Sequence, residues 1–236
     1  MRFSLIIPCY NEALNLPGLL ERCAKLTTDP RVEIVLVDNG STDDTPQVLP
    51  KLLAGMTGIR SIRVGVNRGY GFGILSGLRA GEGDILGWTH ADQQTDPMDA
   101  ATGLAFFDKA ADPTRLFVKG RRYGRPLVDS AFTAGMSVFE TLLTQRVMRD
   151  INAQPTMFHR SFFESWDNPP HDFALDLYAY WLAKDAGLAM QRFPVRFGPR
   201  KFGASHWNTG MKARMKFVRR TLAFSFDLKR KRRAGR

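Results

Sequence analysis

Residues 84–94 have the sequence DILGWTHADQQ, an apolar run that ends abruptly in groups able to hydrogen bond or bind a metal. The apolar part, Ile85 to Trp88, has the composition of a short buried strand. A buried parallel strand holds its carboxyl end rigidly, so His90 and Asp92 would be held where a ligand can meet them. We therefore predict an α/β fold in which this strand opens into a functional site.

The chain on both sides of this strand repeats the same alternation. Phe3 to Pro8 and Val32 to Val37 are short apolar runs, and each precedes a stretch with apolar residues at helical spacing. Ile59 to Val66 and a glycine-rich turn continue the pattern. Unbroken apolar strands need cover on both faces, which predicts a mostly parallel central sheet flanked by helices. The later chain predicts helices at 98–109, 130–148 and 172–186 and strands at 116–119 and 188–197.

The composition is that of a folded enzyme-sized domain. The chain has 236 residues, 44% of them apolar, which excludes a disordered or collagen-like polymer. Its two cysteines, Cys9 and Cys23, offer neither a disulfide framework nor metal-ligand spacing. No apolar stretch approaches the ~20 residues that span a bilayer, and the apolar run at the N-terminus is too short for a signal peptide. We expect a cytoplasmic protein.

The basic charge belongs mainly to the end of the chain. The net charge is +11, and residues 212–236 hold eleven Lys or Arg against one acidic residue, Asp227. At about 100° per residue, the basic and apolar side chains of 211–236 fall on different arcs of a helix. We predict a single domain over 1–210 and a basic amphipathic tail over 211–236.

Two interpretations of this tail remain open. A basic amphipathic helix can lie at the inner face of the cell membrane, where anionic lipids attract it. It can equally pack its apolar face on the main domain and leave its basic end in solvent. Nucleic acid is not the expected partner, because no stacking platform or recognised motif accompanies the basic residues.

Polar clusters follow three of the predicted strands, at residues 8–12, 38–43 and 90–94. Parallel strands bring their carboxyl ends to one edge of the sheet, so these clusters would line that edge together. Asp38 is the last residue of its strand, where a carboxylate can accept hydrogen bonds from a base or ribose. The following residues, 39–44, are explained more simply as a turn and a helix N-cap.

The glycine-rich turn at residues 67–73, NRGYGFG, lies between a predicted strand and a predicted helix. Its Gly-x-Gly-x-Gly spacing differs from Gly-x-Gly-x-x-Gly, so a nicotinamide dinucleotide site is not supported. Two alternatives remain: the backbone at Asn67 and Gly69 approaches a ligand, or the segment is a flexible turn that starts a helix.

Asp92 is a candidate ligand for a hard cation. Mg²⁺ and Mn²⁺ take one or two protein carboxylates and complete their shells with water and substrate phosphate oxygens. His90 is open to two interpretations, a metal ligand or an imidazole that is hydrogen-bonded inside the sheet edge.

Taken in order, these motifs resemble family 2 glycosyltransferases, especially the branch that includes dolichol-phosphate mannosyltransferase. The segments that carry the resemblance are IIPCYNE (6–12), VDNGSTD (37–43), NRGYGFG (67–73), HADQQ (90–94), KGRRYGR (119–125) and RKFGAS (200–205). The resemblance implies a GT-A fold in which residues 1–96 bind a nucleotide-diphospho-sugar and residues 97–210 shape the acceptor site.

The resemblance also implies roles for individual residues. The predicted nucleotide-sugar contacts are Pro8, Tyr10, Glu12, Asp38, Asn67, Gly69, Gln94, Arg121 and Arg125. The predicted metal ligands are Asp92, Gln94 and His90, and the predicted catalytic residues are Asp92, Arg200 and His90. Where the family has Asp-x-Asp, this chain has His90-Ala91-Asp92. Imidazole is a poor Mg²⁺ ligand, so a bond from His90 would favour Mn²⁺; His90 could instead act as a base.

The implied reaction is inverting transfer of a sugar to a lipid-linked or cell-envelope saccharide acceptor at the membrane surface. A cation and arginines would stabilise the leaving diphosphate. A hydroxyl acceptor needs a base, whereas a phosphate acceptor does not. A polyprenyl-phosphate acceptor therefore remains open, as does a non-catalytic member of the fold that only binds a nucleotide.

Overall fold

The computed structural model describes residues 1–124, 127–203, 224–226 and 230, excluding the side chains of 127–132. The strands are β1 (Phe3–Cys9), β2 (Val32–Asn39), β3 (Ile59–Val64), β4 (Ile85–Trp88), β5 (Leu116–Tyr123), β6 (Thr156–His159) and β7 (Ala189–Arg196). The helices are α1 (Leu16–Leu26), α2 (Thr45–Leu53), α3 (Tyr70–Ala80), α4 (Asp99–Lys109), α5 (Leu127–Thr144), α6 (Arg160–Glu164) and α7 (Ala174–Asp185).

The strands form one sheet in the order β3-β2-β1-β4-β6-β5-β7. Strand β6 is antiparallel to β4 and β5, and the other neighbouring pairs are parallel. The predicted mostly parallel sheet is confirmed. The sequence analysis did not predict β6, because its four residues are too few to show a strand period.

Side chains of the central strands alternate between two buried layers. Leu5 and Ile7 pack on the face covered by α1, α2 and α4. Ile6 lies on the opposite face, with residues of α3, α6 and α7. Apolar surface buried on both sides of the sheet stabilises its parallel strands, at about 25 cal/mol per Å² removed from water.

The register of the strands determines which loops meet at the carboxyl edge. Cys9 at the end of β1 pairs with Asp38 near the end of β2, and Ile6 pairs with Trp88 at the end of β4. A slip of one residue would turn every side chain to the other face, so the two buried layers specify this register. The loops after β1, β2 and β4 consequently lie side by side.

Helix α5 ends earlier than the sequence predicts. Its last residue is Thr144 rather than Met148, since Gln145 and Asp150 have φ of 55° and 45° and end helical geometry. Within the part of the chain that the structure describes, no helix combines the length and apolarity needed to cross a membrane.

The predicted amphipathic tail, residues 211–236, lies outside the described residues except for 224–226 and 230. Residues 224–226 are helical. Among them, Phe224 packs against Tyr178 at 6.4 Å between ring centroids, and the Ser225 hydroxyl donates to Glu140 Oε1 at 2.7 Å.

We expect Gly→Ala substitutions in two helices to have opposite effects on stability. A Cβ at Gly77 in α3 would lie 2.9 Å from Val37 Cγ2 and closer still to Ile6, so Gly77→Ala should destabilise, by about 1–3 kcal/mol. Gly135 in α5 has nothing within 4 Å of its Cβ position. Gly135→Ala should stabilise by about 0.5–1 kcal/mol through helix propensity. Urea midpoints measure both effects, and equal shifts would contradict the packing of α3 on β1.

Candidate active site

The loop after β1 is tied to the loop after β2 by hydrogen bonds. Asn11 has a φ of 56°, its main-chain nitrogen donates to Ser41 Oγ at 3.0 Å, and its Oδ1 accepts from Thr42 N at 2.8 Å. Glu12 N donates to Thr45 Oγ1 at 3.1 Å. The polar residues after β2 therefore link two loops as well as beginning α2, which is more than the turn and N-cap that sequence reasoning favoured.

Asp38 is buried at the sheet edge with 2% of its surface exposed. Its Oδ1 accepts from Ser41 N at 2.9 Å, and its Oδ2 lies 3.3 Å from Nε of Arg63, whose side chain is exposed. Sequence reasoning missed Arg63. The register of β2 and β3 explains the contact, because Arg63 of β3 lies directly across from Asp38 of β2.

The glycine-rich segment starts α3 and packs closely on a later loop. Gly69 has a φ of 109°, and a Cβ there would lie 2.5 Å from the His171 carbonyl oxygen. A Cβ at Gly71 would lie 2.6 Å from the Pro170 oxygen. Close backbone approach thus explains both glycines. Asn67 Oδ1 accepts from Gly69 N at 2.8 Å, and the contact of this segment with a nucleotide stays a prediction.

Arg200 joins the loops after β1 and β4. Its Nη1 donates to Glu12 Oε1 at 3.2 Å, and its Nη2 donates to Asp92 Oδ2 at 2.9 Å. The second Asp92 oxygen accepts from Gln94 N at 3.1 Å, and Gln94 Nε2 donates to the Gly198 oxygen at 3.1 Å. The structure therefore brings together Glu12, Asp92, Gln94 and Arg200, which the sequence predicted as separate contacts.

The surroundings of the Glu12 carboxyl raise its pKa. Burial raises the pKa of Glu12, and hydrogen bonds or charge from Asn15 and Arg200 lower it in part, while Asp92 raises it. The Asn15 amide donates to Glu12 Oε2 at 2.5 Å. The carboxyl groups of Glu12 and Asp92 thus share the Arg200 guanidinium. Their mutual repulsion is offset because this cation lies between them.

His90 is partly buried and stacks on an aromatic ring. Its centroid lies 5.8 Å from that of Tyr70, with 30° between the planes. Burial lowers the pKa of His90 more than the nearby carboxylates Asp92 and Asp176 raise it. Tyr70 was missed by sequence reasoning, which treated it as part of a glycine-rich turn.

The described residues contain no group of three or more His, Cys, Asp or Glu side chains arranged to hold a metal. Asp92 is nevertheless suited to a hard cation that takes few protein ligands, since its Oδ2 already faces a positive charge. The Gln94 amide nitrogen is turned toward Gly198, and His90 lies against Tyr70. Ligation by Asp92, Gln94 and His90 together remains a prediction.

The remaining predicted residues lie at the same edge or outside the described ranges. Pro8 is within β1 and Tyr10 follows it, both partly buried. Arg121 is exposed in β5, whereas its neighbour Arg122 donates from Nε to Asp150 Oδ1 at 2.8 Å. Arg125 lies outside the described residues.

A cleft of about 620 Å³ lies next to the end of β5. It runs between α5 and residues 147–150, and Arg121 and Arg149 contribute cationic groups to it. Its lining also includes Val138 and Leu142, apolar side chains of α5 that are 59% and 74% exposed. The cleft thus combines apolar walls with positive charge.

The family of the chain follows from its sequence. The sequence model of glycosyl transferase family 2 matches residues 4–167. The chain belongs to glycosyl transferase family 2. The family expected from the motifs is confirmed.

Two curated relatives of the chain share one name. The undecaprenyl-phosphate 4-deoxy-4-formamido-L-arabinose transferase of Klebsiella pneumoniae is 28% identical over 215 residues, covering 88% of this chain and 63% of that protein. The protein of that name from Pseudomonas syringae is 40% identical over 172 residues, covering 69% of this chain and 48% of the relative. The chain therefore spans less than two thirds of the length of these relatives.

Solved structures of similar fold include two nucleotide-sugar complexes. Mannosyltransferase PcManGT from Pyrobaculum calidifontis, with GDP-Man and Mn²⁺, has a TM-score of 0.64 at 21% identity, covering 86% of this chain and 58% of its own. Glucosyl-3-phosphoglycerate synthase from Mycobacterium tuberculosis, with Mn²⁺ and UDP-glucose, has a TM-score of 0.72 at 19% identity, covering 95% and 78%. The predicted GT-A fold is confirmed.

Removing the guanidinium should raise the Glu12 pKa further. In Arg200→Ala, burial and Asp92 act on Glu12 without the cation that opposes them. The folded state then binds a proton more tightly than the unfolded state. Stability relative to wild type should therefore fall as pH rises through the Glu12 midpoint. Carboxyl ¹³C NMR titration measures the Glu12 pKa. Lys201→Ala, which removes an exposed neighbouring cation, is the control. An unchanged Glu12 pKa in Arg200→Ala would contradict the pairing of Arg200 with Glu12.

Proposed function

We propose that the protein transfers a sugar, with inversion, from a nucleotide-diphospho-sugar to the phosphate of a polyprenyl phosphate. The observation that carries this proposal is the Arg200 guanidinium shared by Glu12 and Asp92 at the carboxyl edge of the sheet. Such an edge is where open α/β sheets bind ligands. A guanidinium held between two acids there can exchange its contact with one carboxylate for a contact with a donor phosphate.

The donor nucleotide would lie across the ends of β1 and β2. Asp38 is buried there with one oxygen held by Ser41 N, which leaves its other oxygen and Arg63 to meet a base or ribose. Pro8, Tyr10 and Glu12 would surround the nucleotide from the β1 side. In this proposal residues 1–96 form most of the donor part, to which Arg200 also contributes, and residues 97–210 shape the acceptor part.

A divalent cation would be held by Asp92 together with the donor's diphosphate. One carboxylate suits Mg²⁺ or Mn²⁺, which obtain their remaining ligands from phosphate oxygens and water. When bound, the cation would neutralise charge on the leaving diphosphate. The relative from Pyrobaculum was solved with Mn²⁺, which supports testing that ion first.

The acceptor is proposed to be a phosphate rather than a saccharide hydroxyl. The curated relatives are named as undecaprenyl-phosphate transferases. The cleft beside β5 offers Arg121 and Arg149 to a phosphate and the apolar side chains of α5 to a hydrocarbon chain. A phosphate is already anionic and needs no general base.

The reaction would be a single displacement at the anomeric carbon. An acceptor phosphate oxygen forms the new bond to that carbon as the bond to the diphosphate oxygen breaks, and the electron pair leaves with the nucleoside diphosphate. Arg200 would stabilise the departing negative charge, since a fixed guanidinium interacts more strongly as charge accumulates on the leaving group. His90, two residues from Asp92, would orient the reacting groups by hydrogen bonding.

A polyprenyl-phosphate acceptor also implies work at a membrane surface. We extend the proposal to peripheral contact of residues 211–236 with anionic lipid on the cytoplasmic face of the cell membrane. Eleven basic residues in 212–236 support it, at about 1 kcal/mol for each one near the surface. Equal binding to neutral and anionic vesicles would contradict this extension.

We expect Asp92→Asn to lower sugar transfer by about 10²-fold or more, because the cation and leaving diphosphate lose their carboxylate partner. A panel of UDP-, GDP- and dTDP-sugars with Mn²⁺ or Mg²⁺ and undecaprenyl phosphate measures transfer as label entering the organic phase. Asp108→Asn is the control, since Asp108 pairs with Arg31 at the surface. Failure of the wild-type chain to bind or transfer from any donor would refute the proposed function.

A second prediction separates acceptor from donor binding. Arg121→Ala should raise the KM for undecaprenyl phosphate about tenfold with the donor KM unchanged, because a charge-assisted contact to phosphate is lost. Arg79→Ala removes another exposed arginine, on α3, and should change neither constant. Transfer to undecaprenol or to an oligosaccharide at the same rate as to undecaprenyl phosphate would argue for a hydroxyl acceptor.

A further inference from the structure

A buried polar cluster lies behind the candidate active site, formed by Lys119 of β5, Asp176 of α7, and Gln154 and Thr156 at β6. All four have at most 2% of their surface exposed. Lys119 Nζ donates to Thr156 Oγ1 at 2.6 Å and lies 3.6 Å from Asp176 Oδ1. Gln154 Nε2 donates to that same Asp176 oxygen at 2.7 Å. None of these four residues contributes to the proposed transfer.

Tyr70 connects this cluster to the active site. Its hydroxyl accepts a hydrogen bond from Gln154 Nε2 at 3.5 Å, and the same amide nitrogen donates to Asp176. One face of its ring stacks on Phe173 at 4.7 Å between centroids, with 14° between the planes. The Tyr70 ring also stacks on His90 at 5.8 Å. The phenol is therefore held at its hydroxyl and by its ring.

The backbone of Tyr70 is constrained as well. Tyr70 is the first residue of α3, between Gly69 and Gly71, whose Cα atoms lie against the backbone of Pro170 and His171. Phe72 N donates to the His171 oxygen at 3.0 Å. The loop that clamps the start of α3 thus directly precedes α7, the helix that supplies Asp176.

A buried ion pair is a poor source of stability. Removing two charges from water costs about as much as their attraction returns, and an apolar pair of similar volume often stabilises more. Hydrogen bonds inside a protein do, however, fix the positions of the groups that make them. The position defined here is that of the Tyr70 hydroxyl, and through the stacked ring that of His90.

We propose that Tyr70 is a positioning residue, held at its hydroxyl by Gln154 of the buried cluster, that sets the plane of the His90 imidazole beside Asp92. The χ2 torsion of histidine is broad, so an unsupported imidazole samples many planes. Stacking on Tyr70 restricts that range. The consequence for turnover rests on the proposed sugar transfer, whereas the restriction of the ring does not.

A double-mutant cycle between Tyr70 and His90 tests the proposal. Tyr70→Leu should lower kcat about tenfold, the upper range for an aromatic pair, with the donor KM changed less than about twofold. In a His90→Ala background the same substitution should cost less than about twofold, because no imidazole remains to be positioned. Tyr70→Phe keeps the stacked ring but loses the hydroxyl contact with Gln154, so its activity should lie between that of wild type and that of Tyr70→Leu.

Phe72→Leu is the matched control. Phe72 lies on the same turn of α3, but its ring contacts His171 edge-on at 5.1 Å rather than His90. Its effect should be the same with and without His90. Equal losses for Tyr70→Leu in both backgrounds would overturn the proposal, because a residue needed only for folding acts independently of His90. Thermal unfolding verifies that each variant is folded.

Proton NMR of the His90 ring gives a readout that does not need activity. The His90 resonances are assigned by their disappearance in His90→Ala, and Tyr70→Leu should shift them by removing the ring current, whereas Phe72→Leu should not. Unshifted resonances in Tyr70→Leu would overturn the inference. If wild-type protein transfers no sugar yet the resonances shift, the proposed function fails and the positioning stands.

Discussion

The geometry of the site depends on one guanidinium group between two carboxylates. Glu12 and Asp92 come from loops after adjacent strands, and two acids this close repel unless a cation lies between them. Arg200 supplies that cation from a segment more than a hundred residues later. A late loop is thereby held against the first strand's loop, and the carboxyl edge becomes one continuous surface.

The same arrangement explains how one edge can serve several charges in turn. A divalent cation can compete with Arg200 for the carboxylate oxygens, and a phosphate can compete with the carboxylates for Arg200, so each exchange replaces one ionic contact with another. Asp92 keeps one oxygen fixed by Gln94 N throughout, so its orientation does not depend on the occupant of the other. This arrangement suits the proposed diphosphate chemistry.

Much of the first half of the fold was predictable from the sequence, for identifiable physical reasons. Leu5, Ile7 and their neighbours lie in unbroken apolar runs, and this pattern indicates a strand covered on both faces. Asp38 and Asp92 were recognisable as strand-end carboxylates.

Long-range contacts were not predictable in this way. Arg200 had no local signal for its pairing with Glu12, because that contact joins residues 188 apart. Tyr70 was hidden because the aromatic residues of a short glycine-rich turn show no period, and its role depends on contacts with Gln154 and His90 that only the folded chain brings together. Strand β6 has an ordinary composition and runs against its neighbours, so only the assembled sheet reveals it.

Strand β6 has a consequence for the order in which the protein folds. It lies between β4 and β5, so its four residues join the first four strands to the last two in one sheet. Strands β1 to β4 can pair as soon as residue 88 has left the ribosome, whereas β5 cannot join them until β6 has been synthesised. The edge of β4 therefore stays unpaired while about 70 further residues are translated. Synthesis typically proceeds at about 5–20 residues per second. The growing chain thus exposes a strand edge for seconds, when neighbouring chains can pair with it.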